Sequence, residues 1–175
     1  MASGPVVIGF DGTPAAERAV REAGDLLAPR PAVVVVAIEA GQAFGAVLAG
    51  EFSAGLPVTE LEVRNALRAE DKIVQQARRM AQNGAALAQE AGLKAEGLAV
   101  ADDVPVATTL LRVADEQDAP VIVVGAPRLA PLAELLLGST AKDLLKRSGR
   151  PVLVVRDATA GGAGDGAHSE HTGDT

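Results

Sequence analysis

Val33-Val34-Val35-Val36-Ala37-Ile38 is apolar at every position and dominated by β-branched residues. A strand with one wet face alternates apolar and polar residues. A strand with no alternation is covered on both faces, as in a parallel sheet between helices. Upstream, Pro5-Val6-Val7-Ile8-Gly9-Phe10 has the same character and stops at Asp11-Gly12-Thr13-Pro14. Thr13 as N-cap with Pro14 at the first helical position starts a helix. Its stripe of Ala16, Ala19, Val20, Ala23, Leu26 and Leu27 is ended by Pro29 and Pro31.

Downstream, residues 41–58 are rich in Gly and Ala, with Phe44, Val47, Leu48 and Phe52 as anchors, and read as a partly packed loop or insertion. Thr59-Glu60-Leu61-Glu62 fits a capping box, and a helical pattern runs on to Ala91, closed by Gly92. Such a helix spans about 48 Å at ~1.5 Å per residue, whereas six-residue strands span roughly 20 Å. It is expected to break or protrude, with Asn83-Gly84 as the expected irregularity. Residues 94–100 form the third and weakest strand, and Pro105 opens a helix reaching Gln117. Val121-Ile122-Val123-Val124 is the fourth strand, ending at Gly125. Gly138-Ser139-Thr140 opens a helix that closes at Gly149, and Pro151-Val152-Leu153-Val154-Val155 is the fifth strand. Residues 157–175 have almost nothing to bury and read as a disordered tail, leaving one domain over residues 1–156.

Strands alternating with helices demand right-handed crossovers and a three-layer α/β/α fold around a five-stranded parallel sheet. Ligands in such sheets bind beyond the carboxyl ends of the strands. The topology therefore selects residues 10–13, 38–40, 125–129 and the Gly138-Ser139-Thr140 helix start.

Composition excludes several classes of function. The 175 residues are 48% hydrophobic, enough for a core, and contain no Cys, so thiolate chemistry is absent. The two His, His168 and His171, lie in the tail, leaving residues 1–156 without an imidazole base or ligand. A weak metal site in the tail is the lesser reading there. With no Trp or Tyr and three Phe, no base-stacking platform is expected. The net charge of −7 argues against nucleic acid or an anionic membrane as partner. Four of those charges (Asp157, Asp165, Glu170, Asp174) belong to the tail. No apolar run approaches the ~20 residues of a membrane span, and Met1-Ala2-Ser3-Gly4-Pro5 lacks the start of a secretory signal. A cytoplasmic location is expected.

The loops themselves leave alternatives open. Gly138-Ser139-Thr140 offers unpaired helix-start N–H groups and two hydroxyls to a phosphate, or simply an N-cap. Gly125 permits close approach of a ligand, or serves a turn at positive φ. Asp11 accepts from a ribose hydroxyl or helps hold Mg²⁺, or forms an Asx-turn into Gly12. No P-loop motif and no G-x-G-x-x-G after the first strand is present.

Together these residues resemble the universal stress protein family over residues 5–156. Val7-Ile8-Gly9-Phe10-Asp11-Gly12-Thr13 is similar to its opening strand and Asp-containing turn. Val121-Ile122-Val123-Val124-Gly125, Leu136-Leu137-Gly138-Ser139-Thr140 and Arg150-Pro151-Val152-Leu153-Val154-Val155 are similar to its C-terminal half. The resemblance implies strand order 3-2-1-4-5, an adenine-nucleotide-hydrolase-like arrangement, and dimerisation through the last strand. It also implies a ligand, ATP or another adenine nucleotide, with Mg when a triphosphate. ATP-binding members carry G-x-x-G-x₉-G-[ST]. Here Gly125 and Gly138-Ser139 match, but the middle Gly is Arg128 and its neighbour is Pro127. A non-Gly residue at positive φ costs about 1–2 kcal/mol, and Pro has no N–H to donate. The Arg128 guanidinium offers a charge-assisted contact to the same phosphate instead. By this resemblance the nucleotide set is Asp11 on the ribose, Ile38 on the adenine, Ser139 and Thr140 on phosphates, with Gly12, Thr13, Gly125, Arg128 and Gly138 around them.

Three functions follow as expectations. The first is a dimeric, nucleotide-responsive stress module. The second is a nucleotide-free dimeric interaction protein using residues 41–91 toward an unidentified protein partner. The third, a slow nucleotide hydrolase, has only Asp11, Glu39 or Glu134 as candidate bases; dedicated catalysis is not expected.

Overall fold

The computed structural model describes residues 4–39, 49, 59–126 and 138–156. Among the described residues, strands β1 (Val6–Gly9), β2 (Pro31–Glu39), β3 (Lys94–Asp102), β4 (Ile122–Gly125) and β5 (Val152–Val155) alternate with four helices of nine residues or more. These are α1 (Pro14–Leu27), α2 (Glu60–Glu90), α3 (Val106–Glu116) and α4 (Ser139–Arg147). All pairings are parallel, in the order β3-β2-β1-β4-β5. The 41–58 insertion (Ala49 apart), Pro127 and Arg128, and the 157–175 tail lie outside the described residues.

The unbroken apolar run in β2 is used as its pattern demands. Val34 and Val36, with Val6, Ile8 and Val123, pack under α1 and α2. Val35, with Val7, Ile122 and Val124, packs under Leu110 and Val113 of α3 and Ala141 and Leu144 of α4. Both faces are dry. Side chains such as Leu110 and Leu144, fully buried, each contribute about 1.5–3 kcal/mol.

Strand β3 is longer than its composition suggests, pairing with β2 from Pro31↔Lys94 to Glu39↔Asp102. Its weak propensity is overruled by the ladder and by α2 lying very close above it. A Cβ on Gly97 would stand 2.5 Å from the Ala81 carbonyl carbon, so only glycine admits that approach.

Helix α2 does not break. It runs 31 residues through Asn83-Gly84, contrary to the irregularity expected there. Gly84 is a packing notch: a Cβ would lie 2.8 Å from Val34 Cγ1 and 2.9 Å from Phe10 Cδ1. The helix protrudes instead, and Leu61 and Leu67 in its first half are 62% and 57% exposed. Its start is the expected capping box, with Glu62 N donating to Thr59 Oγ1 at 3.3 Å and Thr59 N to Glu62 Oε2 at 2.8 Å.

In α1 one member of the expected stripe is misplaced. Leu26 is exposed, while Gly24 is buried because the helix end rests on α2. A Cβ on Gly24 would meet Ala91 at 2.4 Å. At the other side, Arg150 ties the start of β5 to the end of α3. Its Nη1 donates to the carbonyls of Ala114 (2.8 Å) and Ala119 (2.6 Å), and its Nη2 to the Asp115 carboxylate. Helix-end carbonyls need such partners when half-buried.

Candidate functional site

The carboxyl end of the sheet opens into a cleft of about 250 Å³ between β1, β2, β4 and the starts of α1, α3 and α4. It is lined by residues that include Asp11, Gly125, Gly138, Ser139 and Thr140, just below the ~300–1,000 Å³ usual for small-molecule sites.

On one wall the chain leaves β1 when Phe10 N donates to Val35 O at 2.9 Å. Asp11 Oδ1 then accepts from Thr13 N at 3.0 Å and from Thr13 Oγ1 at 2.6 Å. Gly12 between them sits at φ 75°, a conformation that favours glycine. Thr13 Oγ1 in turn accepts from Ala16 N at 3.2 Å. The Asx-turn and the N-cap are therefore both made, and they occupy one carboxylate oxygen of Asp11 while the group as a whole stays exposed.

Gly125 closes the floor. It needs neither a positive φ nor a ligand to account for it. A Cβ there would stand 2.3 Å from Ala15 O and 2.4 Å from Ala15 C, so the residue lets the first turn of α1 rest on the end of β4.

The opposite wall is the start of α4. Gly138 is the N-cap, at φ −53° and ψ 157°, and no side chain caps the helix. Ser139 and Thr140 are the first two helical residues, so the simple Ser or Thr N-cap is not made. The first backbone bond of the turn is Lys142 N to Gly138 O at 3.1 Å. The N–H groups of Ser139, Thr140 and Ala141 thus have no helical acceptor, and all three residues line the cleft.

Ile38 is not among the lining residues. Its side chain packs with Val34 and Val36 on the α1–α2 face of the sheet. Strand alternation brings Val35 and Ala37 to the cleft in its place, so an adenine contact at Ile38 is left to its backbone. Arg128 lies outside the described residues. Val106 and Leu110 of α3 also line the cleft and were not selected from sequence. Pro105 after the end of β3 was the available signal, because every βα junction of a parallel sheet reaches the same edge.

At the end of β3, Arg112 Nη2 donates to Asp102 Oδ2 at 2.6 Å and Nη1 to Glu116 Oε1 at 3.1 Å. The Arg112 hydrogen bond, more than any other influence, holds the Asp102 carboxyl below its usual 3.8. Among the described residues no group of three His, Cys, Asp or Glu side chains is placed to hold a metal.

The family model described as the universal stress protein family matches residues 3–156. The chain belongs to the universal stress protein family. A curated relative, Universal stress protein MJ0577 of Methanocaldococcus jannaschii, is 28% identical over 103 residues. That alignment spans 59% of this chain and 61% of the relative. A solved structure of hypothetical protein MJ0577 shares the universal stress protein fold at TM-score 0.65 and 19% identity, covering 91% of this chain and 100% of that one. A universal stress protein from Archaeoglobus fulgidus in complex with dAMP shares the fold at TM-score 0.56 and 20% identity, covering 88% and 98%. Another, in complex with cAMP, gives TM-score 0.56 and 23% identity, covering 89% and 98%. The strand order expected from the resemblance is the one observed.

Proposed function

We propose that this protein is a dimeric, cytoplasmic stress-response module of residues 1–156, with residues 157–175 as an appended tail, that binds an adenine nucleotide in the cleft. One observation carries the reading: Asp11 and the uncapped first turn of α4 converge on one cleft at the carboxyl end of the sheet. The exposed Asp11 suits a ribose hydroxyl, and the free N–H groups with the Ser139 and Thr140 hydroxyls suit a phosphate. Gly12, Thr13, Gly125 and Gly138 shape the backbone around them, and Arg128 adds a guanidinium from the adjoining segment. The Ile38 backbone is the proposed adenine contact, and Mg²⁺ accompanies the ligand when it is a triphosphate. Two relatives of the same fold have been solved with dAMP and with cAMP, which favours adenine nucleotides as the class.

Binding without dedicated catalysis is the proposed mode, since Asp11 is the one titratable side chain among the described lining residues. No described helix is long and apolar enough to cross a membrane. Dimerisation is proposed through β5, an edge strand whose Val152, Leu153 and Val154 are half-buried and whose outer side has no partner strand among the described residues. Such an edge invites pairing, and a second copy of the same strand satisfies it.

The test uses the protein's own optics. Without Trp or Tyr it barely absorbs near 280 nm, so a 260 nm band reports a carried nucleotide. Denaturation and chromatography should release an adenine nucleotide, or the emptied protein should take up added nucleotide. A protein that arrives empty and takes up none favours the second reading, a nucleotide-free partner module. The exposed Leu61 and Leu67 on α2 are the observation behind that reading. Deleting residues 41–58 should then abolish partner capture without unfolding the sheet.

A further inference from the structure

Side chains that oxidants attack are nearly absent from this chain. It has no Cys, Trp or Tyr, and both His lie within residues 157–175. Of its two Met, one is residue 1, so Met80 carries the one sulfur atom of residues 2–175. Its position gives that sulfur a neighbour of consequence.

Met80 lies on α2 between Ala77 and Ala81, both buried, and its own side chain is partly exposed while packing on the core beneath α1 and α2. It also meets the turn by which the chain leaves β1. A Cβ added to Gly12 would stand 3.5 Å from Met80 Cε and 3.6 Å from Met80 Sδ, in ordinary van der Waals contact. The three atoms nearest that position all belong to Met80. The thioether therefore backs Gly12 at the point where its backbone, at φ 75°, carries no side chain of its own. On either side of Gly12 stand the two residues that make the turn. Asp11 Oδ1 accepts from Thr13 N and Thr13 Oγ1, and Thr13 in turn accepts from Ala16 N and Glu17 N.

We propose that Met80 is a modification site: hydrogen peroxide or another hydroperoxide converts it to the sulfoxide, and the oxidation loosens the Asp11–Thr13 turn. The loss of nucleotide affinity that follows rests on the nucleotide-binding reading above. In the reaction the sulfur lone pair attacks one peroxide oxygen, and the O–O bond breaks as the S–O bond forms. Sulfur gives up two electrons; with hydrogen peroxide, the departing oxygen takes the proton of the transferred one and leaves as water. The product side chain is polar and chiral where the thioether was apolar. Its oxygen needs a hydrogen-bond donor or water. Supplying either opens the contact with Gly12, and the turn loses the support that α2 gives it.

The test treats the full chain with graded hydrogen peroxide, with N-acetylmethionine in the same tube as a reference. Peptide mass spectrometry should find one added oxygen at Met80. Amide exchange of Thr13, Ala16 and Glu17, followed by NMR, should quicken by about five- to tenfold, the scale of one weakened hydrogen bond. Exchange of Lys142 at the start of α4 should stay as it was. Isothermal titration with AMP and with ATP should show whichever binds weakened by about fivefold on the same scale. Met80→Leu, near in volume and free of sulfur, should abolish these responses, each protein being compared with its own untreated sample. The two methionine sulfoxide reductases, one for each epimer, should restore the parent.

Met80 left unmodified at a dose that oxidises the reference overturns the proposal, and so does a sulfoxide that leaves the three amides unmoved. Equal quickening at Lys142 overturns it as well, because that marks general destabilisation. A response that survives in Met80→Leu, or persists after the sulfoxide is reduced, places the cause elsewhere and has the same force. Unchanged nucleotide affinity with a loosened turn breaks the link between the turn and the ligand. If no nucleotide binds the untreated protein, the nucleotide reading falls, and the exchange data alone decide whether Met80 controls the turn.

Discussion

Helices α1 and α4 both begin at the cleft, and they begin in opposite ways. The α1 start is sealed by its own sequence: Thr13 caps Ala16, Asp11 holds Thr13, and Pro14 at the first position has no N–H to leave unpaired. The α4 start is open: Gly138 caps nothing with a side chain, and the hydroxyls of Ser139 and Thr140 lie inside the helix rather than before it. The same residue types, a hydroxyl beside a glycine, stabilise the fold in one case and present donors in the other. Position relative to the first helical residue decides which.

Substitutions can separate the two starts. The largest effect is expected from Gly125→Ala, because the new Cβ meets Ala15 backbone atoms that cannot swing aside. A loss of about 3 kcal/mol, read by far-UV circular dichroism in urea, is expected, since overpacking costs ~1–3 kcal/mol even where side chains can adjust. A neutral result would mean that α1 does not rest on β4. Next, Asp11→Ala should weaken adenine nucleotides by about tenfold, equivalent to ~1.4 kcal/mol. Unchanged affinity there would detach the ribose from this wall. Thr13→Ala removes a made cap and should cost about 1 kcal/mol of stability in the same urea titration.

Ser139→Ala removes no cap and should change stability by less than about 0.5 kcal/mol. A full capping loss on urea unfolding would erase the contrast between the starts. The smallest effect belongs to the Asp102–Arg112 pair at the end of β3, which is partly exposed and salt-screened. The folded carboxyl titrates below its usual 3.8. Its contribution is therefore present above that value and lost as pH falls through the lowered one. Asp102→Asn should be slightly less stable than the parent at neutral pH, and the two acid-unfolding curves should converge at the acid end. A gap that persists there would point to packing rather than charge.

Much of this architecture is legible in particular residues. The apolar run in β2 requires helices on both faces, and Thr13-Pro14 and Thr59-Glu60-Leu61-Glu62 mark two helix starts that the structure contains. What the sequence hides are contacts between elements far apart in the chain. Gly125 looks like a loop glycine, and Gly84 looks like a break. Each instead admits a neighbour, Ala15 in one case and Phe10 with Val34 in the other. Ile38 and Ala37 differ by one position, and only the pleat decides which side chain faces the cleft. The lining role of Val106 and Leu110 depends on how α3 lies over β1 and β2, which periodicity does not encode.

Strand β1 is first in sequence and central in the sheet, flanked by β2 and β4. On the ribosome its partner on one side emerges soon after it, but the other does not begin until Ile122. Most of the chain between β2 and β4 must be translated first, which takes several seconds or more at ~5–20 residues per second. Throughout that interval Val6, Val7 and Ile8 have one edge open to the medium. A nascent chain of this protein is thus most exposed to mispairing midway through synthesis, at the strand that ends up best protected once the sheet is complete.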